Sequence, residues 1–319
     1  MDADNLRKKL NRNPPTSNRQ LLIIFGLFVG SIAIVLWLLW WAIGLLVNAL
    51  VWYIPIGVEQ QLGAAIVPIY EQQALPSRTQ ATLNHLLDRL ETKLPPEQHR
   101  DRDYRVLFVP QKTVNALALP GDTIVIYQGL VAQAESENEL MMVLGHELGH
   151  FANRDHLRGL GQALVLRLAI ASIFGDVGGL QAVLVSGAEA FSRSQYSQSQ
   201  ELQADEFGID LLQATYGHVA GATDFFARLD RKRGANIAFL STHPAPGNRV
   251  AQLQRIIEER GYPVRERSPL PPSLQRVWSK PVDLTWALPV GGSPKPPLKD
   301  TVGELRDLDD RPRQMLRNM

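Results

Sequence analysis

The sequence predicts an α+β protein that is mainly helical, with a small β-sheet and one N-terminal transmembrane helix. Three observations lead to this prediction. Residues 21–53 form an uncharged apolar run, and a run of that length is typical of a membrane-spanning helix. Residues 104–127 contain three short strand-like runs separated by turn residues. Further along the chain, apolar residues recur mainly at helical spacing.

Composition restricts the classes of protein to which this chain can belong. Its 319 residues are enough for one sizeable domain with additional segments. The formal net charge is +1 and basic residues are scattered outside the N-terminus, so no nucleic-acid partner is expected. The chain has no cysteine, which excludes disulfides and thiolate metal sites. Any zinc would have to be bound by histidine and carboxylate side chains.

The apolar run at residues 21–53 is interpreted as an uncleaved membrane anchor. About 20 residues already span the hydrocarbon core of a bilayer. A secretory signal is the alternative, but its apolar region would comprise only about 7–15 residues. Trp37, Trp40 and Trp41 fall near the level of the far membrane interface, where tryptophan is enriched.

Charge on the two sides of this run predicts its orientation. Five basic residues precede it, and no Lys or Arg follows it before Arg78. The positive-inside rule then places residues 1–20 in the cytoplasm and the main domain across the membrane. We therefore expect a single-pass protein of the inner or plasma membrane, with its main domain in the periplasm or otherwise outside the cytoplasm.

The segment after the anchor is predicted to contain one helix and three strands. Residues 76–96 show helical spacing of four leucines, Leu83, Leu86, Leu87 and Leu90. The strand-like runs at residues 104–109, 113–119 and 123–127 are separated by proline and glycine. They indicate a small sheet immediately before the next predicted helix.

The sequence His-Glu-Leu-Gly-His at residues 146–150 is the most informative feature of the chain. Ser136 and Glu139 form a capping-box pattern before it, which predicts the start of a helix. His146 and His150 would share one face of that helix and present their imidazoles to one metal ion. Glu147 lies beside this face, where a carboxylate can take a proton from metal-bound water. A chance match to this motif arises in roughly one chain in a hundred of this length. The case for a metal site therefore needs a third ligand elsewhere in the sequence.

Glu201 is the best candidate for the third ligand. Catalytic zinc usually has three protein ligands and one open position for water. Asp205 follows four residues later on a predicted helix, residues 200–215, where it can accept the free ring N–H of a ligating histidine. Taken alone, such a pair is more often a solvated charged face. The preceding His-Glu-x-x-His motif reverses that preference.

Two further regions complete the predicted organisation. Residues 160–191 are apolar but interrupted by charge and glycine, so we expect buried or amphipathic helices, with a shallow membrane-dipping hairpin as the alternative. Residues 247–260 predict a helix, and 10 of the 21 prolines lie between residues 263 and 319, which predicts an extended tail. The predicted divisions are therefore a cytoplasmic segment at residues 1–20, an anchor at 21–53, the main domain at 54–262 and a Pro-rich tail at 263–319.

Several segments together resemble the M48 family of zinc metallopeptidases, the group that includes the HtpX proteases. The matching segments are NALALPGDTIVIYQGL at residues 115–130, ENEL at 137–140, the motif at 146–150, ELQAD at 201–205, THP at 242–244, and Arg249. The resemblance covers roughly residues 114–257. Asp122 departs from the pattern, since the family often has glycine there, and residues 153–156 match imperfectly an Arg-His pair that commonly follows the motif.

The resemblance implies a gluzincin-like metalloprotease domain with one zinc ion per chain. His146, His150 and Glu201 would be the metal ligands, with Glu147 as general base and Asp205 orienting a ligand. His243 would lie near the zinc and either stabilise the oxyanion or cap the open zinc position. Arg249 would reach the site or pack at a helix N-terminus.

The expected function is that of a membrane-anchored zinc endopeptidase acting on protein or peptide substrates. Unfolded, damaged or misassembled proteins of the envelope would be cleaved as part of protein quality control. We expect Thr123, Ile124, Val125 and Ile126 to form an edge strand that pairs with the substrate peptide by β-addition. The alternative is a chaperone-like or assembly factor on a protease fold. An intact Glu147 favours the enzyme, because a pure binder needs no general base.

Overall fold

The fold is mainly helical and contains one small sheet, which confirms the predicted α+β class. The computed structural model describes residues 17–74, 76–162, 165, 195–231, 237–244 and 249–275. Most of the apolar region at residues 160–191 lies outside the described residues, as does the predicted tail from residue 276 onward.

Helices make up most of the described chain, and several begin at serine caps. Ser17, Ser77, Ser136 and Ser197 each accept a backbone hydrogen bond at the start of a helix. The helices are α1 Asn18–Leu50, α2 Ile56–Glu71, α3 Arg78–Glu91, α4 Pro96–His99, α5 Gln128–Val131, α6 Glu137–Ala152, α7 Gln198–Tyr216, α8 Asp224–Arg231, α9 Ala238–Thr242, α10 Arg249–Glu259 and α11 Pro272–Gln275. A short 3-10 turn, Val51–Tyr53, follows α1, and residues 155–162 are also helical.

Helix α1 coincides with the predicted membrane segment. Its 33 residues correspond to a length of about 50 Å at roughly 1.5 Å per residue. Within the span Asn18–Tyr53, an 18-residue stretch has a mean hydropathy of 2.8, and none of that stretch is buried against the rest of the protein. By length and composition, this helix can therefore cross a bilayer whose hydrocarbon core is about 30 Å thick.

The sheet contains β1 Arg105–Val109, β2 Ala116–Leu119 and β3 Thr123–Tyr127, in the order β1-β3-β2. Strand β1 is parallel to β3, and β2 is antiparallel to it, so that Ile124 lies between Val106 and Ala118. The prediction that Thr123, Ile124, Val125 and Ile126 form an edge strand is therefore wrong. Strand β3 is the central strand, because β1 pairs with one of its edges and β2 with the other.

Both faces of the sheet are covered by helices. Alternate residues such as Val106, Phe108 and Ile124 face a core shared with α3 and α6. The intervening residues, such as Leu107 and Val125, face α2. Burial on both faces explains why the strand sequences are continuously apolar and do not alternate with polar residues.

The turn before β3 contains the departure from the family pattern at Asp122. This residue has a φ of 54°, a left-handed conformation that is unfavourable for residues with a Cβ. Its buried carboxylate forms an ion pair with Arg102 and accepts a hydrogen bond of 2.5 Å from Gln60 Nε2. These contacts offset the backbone cost and tie the turn to α2.

Residues 263–275, which the proline content assigned to the tail, contact the domain. Ser268 N–H donates to Asn138 Oδ1 at 2.7 Å, and Glu137 N–H donates to Ser268 O at 3.0 Å. Leu274 is buried in the main core. This stretch therefore packs across the first turn of α6.

Candidate metal centre

Helix α6 carries the two motif histidines into the interior, where both are fully buried. Their Nε2 atoms lie 3.1 Å apart. His146 Nδ1 donates to Asp205 Oδ1 at 2.8 Å, and His150 Nδ1 donates to Asp155 Oδ2 at 2.9 Å. Because an ionised carboxylate can only accept, each bond holds a proton on Nδ1 and makes Nε2 the nitrogen that a metal would bind.

A close crossing of α6 and α7 brings the acidic residues to these histidines. A Cβ on Gly145 would lie 3.0 Å from Gly208 Cα, and a Cβ on Gly149 would lie 2.7 Å from Ala204 Cα. The small residues are spaced four apart on each helix, so they share one face. Because these residues are small, the two backbones can touch within one helical turn of Glu201 and Asp205 on α7.

Helix α7 contributes Glu201 to the donor cluster, which consists of His146, His150, Glu201 and His243. Glu201 Oε1 lies 3.4 Å from His150 Nε2 and 3.0 Å from His243 Nδ1, and its Oε2 lies 3.7 Å from His146 Nε2. One donor atom from each of these four residues lies within 4.8 Å of the others. The structure thus brings all three predicted ligands together, with His243 beside them.

The arrangement fits a metal cation. Two Nε2 atoms only 3.1 Å apart require either a proton or a metal cation between them. Zinc–nitrogen bonds of about 2.0–2.1 Å at a tetrahedral angle would place two such nitrogens roughly 3.4 Å apart. Both carboxylate oxygens of Glu147 are buried without a hydrogen-bond partner, as expected for a group whose partner is a ligand or a reacting molecule.

The electrostatics of the cluster also favour positive charge. Burial lowers the pKa of His150, but hydrogen bonds with Asp155 and Glu201 outweigh it and raise that pKa to about 10. Burial raises the pKa of Glu201, but the neighbouring His243 and His146 hold it well below its usual range. Burial dominates at His146 and lowers its pKa. Glu201 therefore stays ionised and offers its negative charge to a cation at the centre.

His243 follows α9 and contributes its imidazole to the donor cluster. Its ring stacks on Phe239 with a centroid distance of 4.4 Å. Its Nδ1 lies 3.2 Å from His146 Nε2. Its Nε2 lies 3.7 Å from Glu147 Oε1 and has no hydrogen-bond partner. This imidazole consequently lies between the metal donors and the candidate general base.

Arg249, the first described residue of α10, binds two carboxylates of α7, those of Asp205 and Glu201. Its Nε and Nη2 donate to Asp205 at 2.8 and 2.5 Å, and its Nη1 donates to Glu201 Oε2 at 3.1 Å. The guanidinium packs over the Phe226 ring at 4.0 Å from the centroid. Of the two roles considered for Arg249, the structure shows that it reaches the site.

Comparison with known proteins agrees with this geometry. The family model described as "Peptidase family M48" matches residues 77–257, which is more than half of the chain. The chain belongs to peptidase family M48. The matched region contains every residue of the donor cluster, so the predicted resemblance is confirmed.

Three relatives illustrate how this M48 chain compares with curated proteins. Metalloprotease LoiP of Escherichia coli (strain K12) is 35% identical over 48% of this chain and 61% of its own length. A putative beta-barrel assembly-enhancing protease of Vibrio cholerae is 29% identical over 59% of this chain and 41% of its own length. A protease HtpX homolog of Thermococcus kodakarensis is 30% identical over 49% of this chain and 69% of its own length. The chain thus covers less than two thirds of the Escherichia coli and Vibrio cholerae proteins.

Two residues of this M48 centre were not predicted from the sequence. Asp155 accepts from His150 Nδ1 and, at 2.7 Å, from Gln200 Nε2. Tyr196 stacks on the His150 ring with a centroid distance of 3.9 Å and an interplanar angle of 16°. A carboxylate five residues after a ligating histidine was a usable signal for Asp155. Tyr196 reaches the site from the residues before α7, and its position in the sequence carries no comparable signal.

Proposed function

We propose that this chain is a membrane-anchored zinc endopeptidase that cleaves unfolded, damaged or misassembled proteins. One observation carries the proposal: His146, His150 and Glu201 converge beside a buried Glu147 whose carboxylate has no hydrogen-bond partner. Membership of peptidase family M48 supports peptide hydrolysis as the reaction.

The proposed mechanism divides the work between the metal and the side chains around it. His146, His150 and Glu201 would hold the zinc, which when bound supplies a Lewis acid that acidifies water and polarises a peptide carbonyl. Glu147 is free of competing hydrogen bonds, so it can take the proton of the attacking water and return it to the leaving amine. Asp205 keeps its acceptor oxygen on His146 and fixes the ring orientation.

We assign His243 the role of a fourth donor that caps the centre in the closed conformation. Its Nδ1 lies among the donor atoms, 3.0 Å from Glu201 Oε1. The centre is fully buried, and Tyr196 N–H donates to Thr242 O at 3.1 Å, which joins two of the segments that cover it. A substrate would therefore enter after His243 and Tyr196 have moved away.

The substrate peptide is proposed to pair with β2, which takes the place of the incorrectly assigned β3. In the described sheet, β2 pairs with β3 alone, so its other edge has no strand partner there. Strand β2 packs against α6, and Asn115, just before it, accepts from Thr242 Oγ1 at 3.1 Å. A peptide along this edge would pass beside His243 and Glu147 by β-addition.

The apolar helix α1 supports attachment to a membrane, and the basic residues before it support a cytoplasmic N-terminus. The main domain would then lie outside the cytoplasm. One relative is named as a putative beta-barrel assembly-enhancing protease, which supports misassembled envelope proteins as the substrate class of this chain.

The full-length protein, purified in detergent, tests the proposal directly. We expect about one zinc per chain and cleavage of casein, an unstructured substrate, that stops when a chelator removes the metal. A wild-type protein that neither binds zinc nor cleaves casein after zinc addition would overturn the proposal.

A further inference from the structure

The residues that connect the apolar helix α1 to α2 pack on the turn that follows the metal-ligand helix α6. We name residues 51–59 the exit segment and residues 153–158 the post-motif turn. Arg154 Nη1 donates to the backbone oxygens of Val51 and Ile54, both at 2.7 Å. Arg154 has a φ of 56°, an unfavourable conformation for a non-glycine residue that the two hydrogen bonds compensate.

A second contact leads from the exit segment to a metal ligand. The Arg158 guanidinium lies over the Trp52 ring, 5.3 Å from its centroid, within the range of a cation–π interaction. Arg158 Nη1 donates to Asp155 Oδ1 at 2.6 Å, and Asp155 Oδ2 accepts from His150 Nδ1 at 2.9 Å. Trp52, Arg158, Asp155 and His150 thus form a continuous series of contacts.

A third contact joins the exit segment to the same turn from α2. Glu59 Oε1 lies 2.8 Å from His156 Nε2, and both residues are fully buried. Arg102 donates to both carboxylate oxygens of Glu59 at 2.9 Å. Arg102 therefore balances the buried negative charge of Glu59 and fixes the direction of its carboxylate, as a charge removed from water requires.

We propose that the exit segment is a supporting part of the metal centre, with Trp52 and Arg158 as positioning residues for Asp155 and, through it, for His150. The proposal rests on the proposed zinc function and adds that the exit segment controls the affinity of the centre for the metal. Arg158 and Gln200 both donate to Asp155 Oδ1 and so set the direction of its carboxylate, and the aromatic face of Trp52 restrains Arg158. Metal affinity then depends on packing at the point where the chain leaves the membrane.

Zinc affinity of the full-length protein in detergent, measured by competition with a chelator, tests this proposal. Removal of outer partners of metal ligands typically lowers metal affinity about 10–100-fold, and we expect Trp52→Ala and Arg158→Leu to fall near 10-fold. The two changes should be non-additive in the double variant because they interrupt the same series of contacts. Trp52→Phe and Arg158→Lys should restore part of the affinity, since they retain the ring and the charge.

The matched control is Arg105→Leu. Arg105 Nη2 pairs with Glu71 at 2.8 Å, which joins the far end of α2 to β1 through exposed side chains. Its loss should leave zinc affinity at the wild-type value. A second readout is casein cleavage at saturating zinc, where Trp52→Ala should recover most of its kcat with KM unchanged.

Zinc affinities of Trp52→Ala and Arg158→Leu within twofold of the Arg105→Leu control would overturn the proposal. Trp52 is 54% exposed, so its truncation is compatible with folding and decides the question even where Arg158→Leu loses helical circular dichroism. Failure of the proposed function gives a different result, namely a wild-type protein without zinc.

Discussion

Gly149 and Ala204 lie so close that a Cβ added to Gly149 would approach Ala204 Cα to 2.7 Å. The helices that supply the histidines and the carboxylates therefore touch backbone to backbone at this point. Gly149→Ala should force them apart and lower the free energy of unfolding by about 1–3 kcal/mol, the usual cost of overpacking. Thermal unfolding monitored by circular dichroism measures this loss.

The control for that substitution is Gly57→Ala, since no atom lies within 4 Å of the added Cβ. Its effect should remain within about 0.5 kcal/mol, as for surface changes. Equal melting temperatures for the two variants would show that the helix contact is looser than described.

Glu147→Gln should retain zinc and lose cleavage. The amide keeps the shape of the side chain but cannot accept a proton, and general-base catalysis typically contributes about 10²–10⁴-fold. Casein hydrolysis and metal content of the same preparation measure both effects. Unchanged cleavage would exclude the mechanism, and complementation of a deletion strain by this variant would favour the assembly-factor alternative.

Glu201→Ala should lower the zinc content that survives dialysis, because it removes the carboxylate of the donor cluster and leaves imidazoles alone to hold the cation. Glu206→Ala is the matched control on the same helix, since Glu206 pairs with Arg260 at the partly exposed side of α7. Metal analysis after dialysis distinguishes them. Full zinc in Glu201→Ala would show that another residue supplies the third ligand.

Zinc binding should release protons at neutral pH. Hydrogen bonds to Asp155 and Glu201 raise the pKa of His150 to about 10, so its ring is protonated at pH 7 before the metal binds. Zinc needs the neutral ring, so binding releases about one proton, and affinity rises with pH until about pH 10. Calorimetry in two buffers of different ionisation enthalpy measures this release, and identical heats in both would contradict it.

His243→Ala should retain zinc, because three ligands remain, and should cleave casein at least as fast as the wild type. The reason is that its Nδ1 lies among the donor atoms and, as the proposed cap, would occupy the open position of the metal. Steady-state kinetics decide the point. A fall in kcat of about 10²–10³-fold with unchanged KM would instead assign His243 to oxyanion stabilisation.

Local patterns in the sequence predicted the elements that local physics determines. Helical leucine spacing predicted α3, and the serine cap with the apolar run predicted α6. The strand order was not accessible in this way, because pairing of β1 with β3 across β2 is a tertiary choice. The edge-strand prediction failed for that reason.

The candidate site shows the same division. Helical spacing placed His146 and His150 on one face, and the structure brings Glu201 to them. The backbone contact that makes this possible depends on glycines of both helices, which are visible in the sequence but were not used. Tyr196 could not be predicted, because its approach to His150 depends on the path of the chain before α7.

The packing of residues 263–275 across the start of α6 has a consequence for the order of events during synthesis. Ser268 binds Asn138 across 130 positions of sequence, so the first turn of α6 is covered only after nearly the whole domain has been made. Contacts of such long range form late in folding. A nascent chain therefore carries its histidines and Glu147 long before the contacts that cover the start of α6 can form.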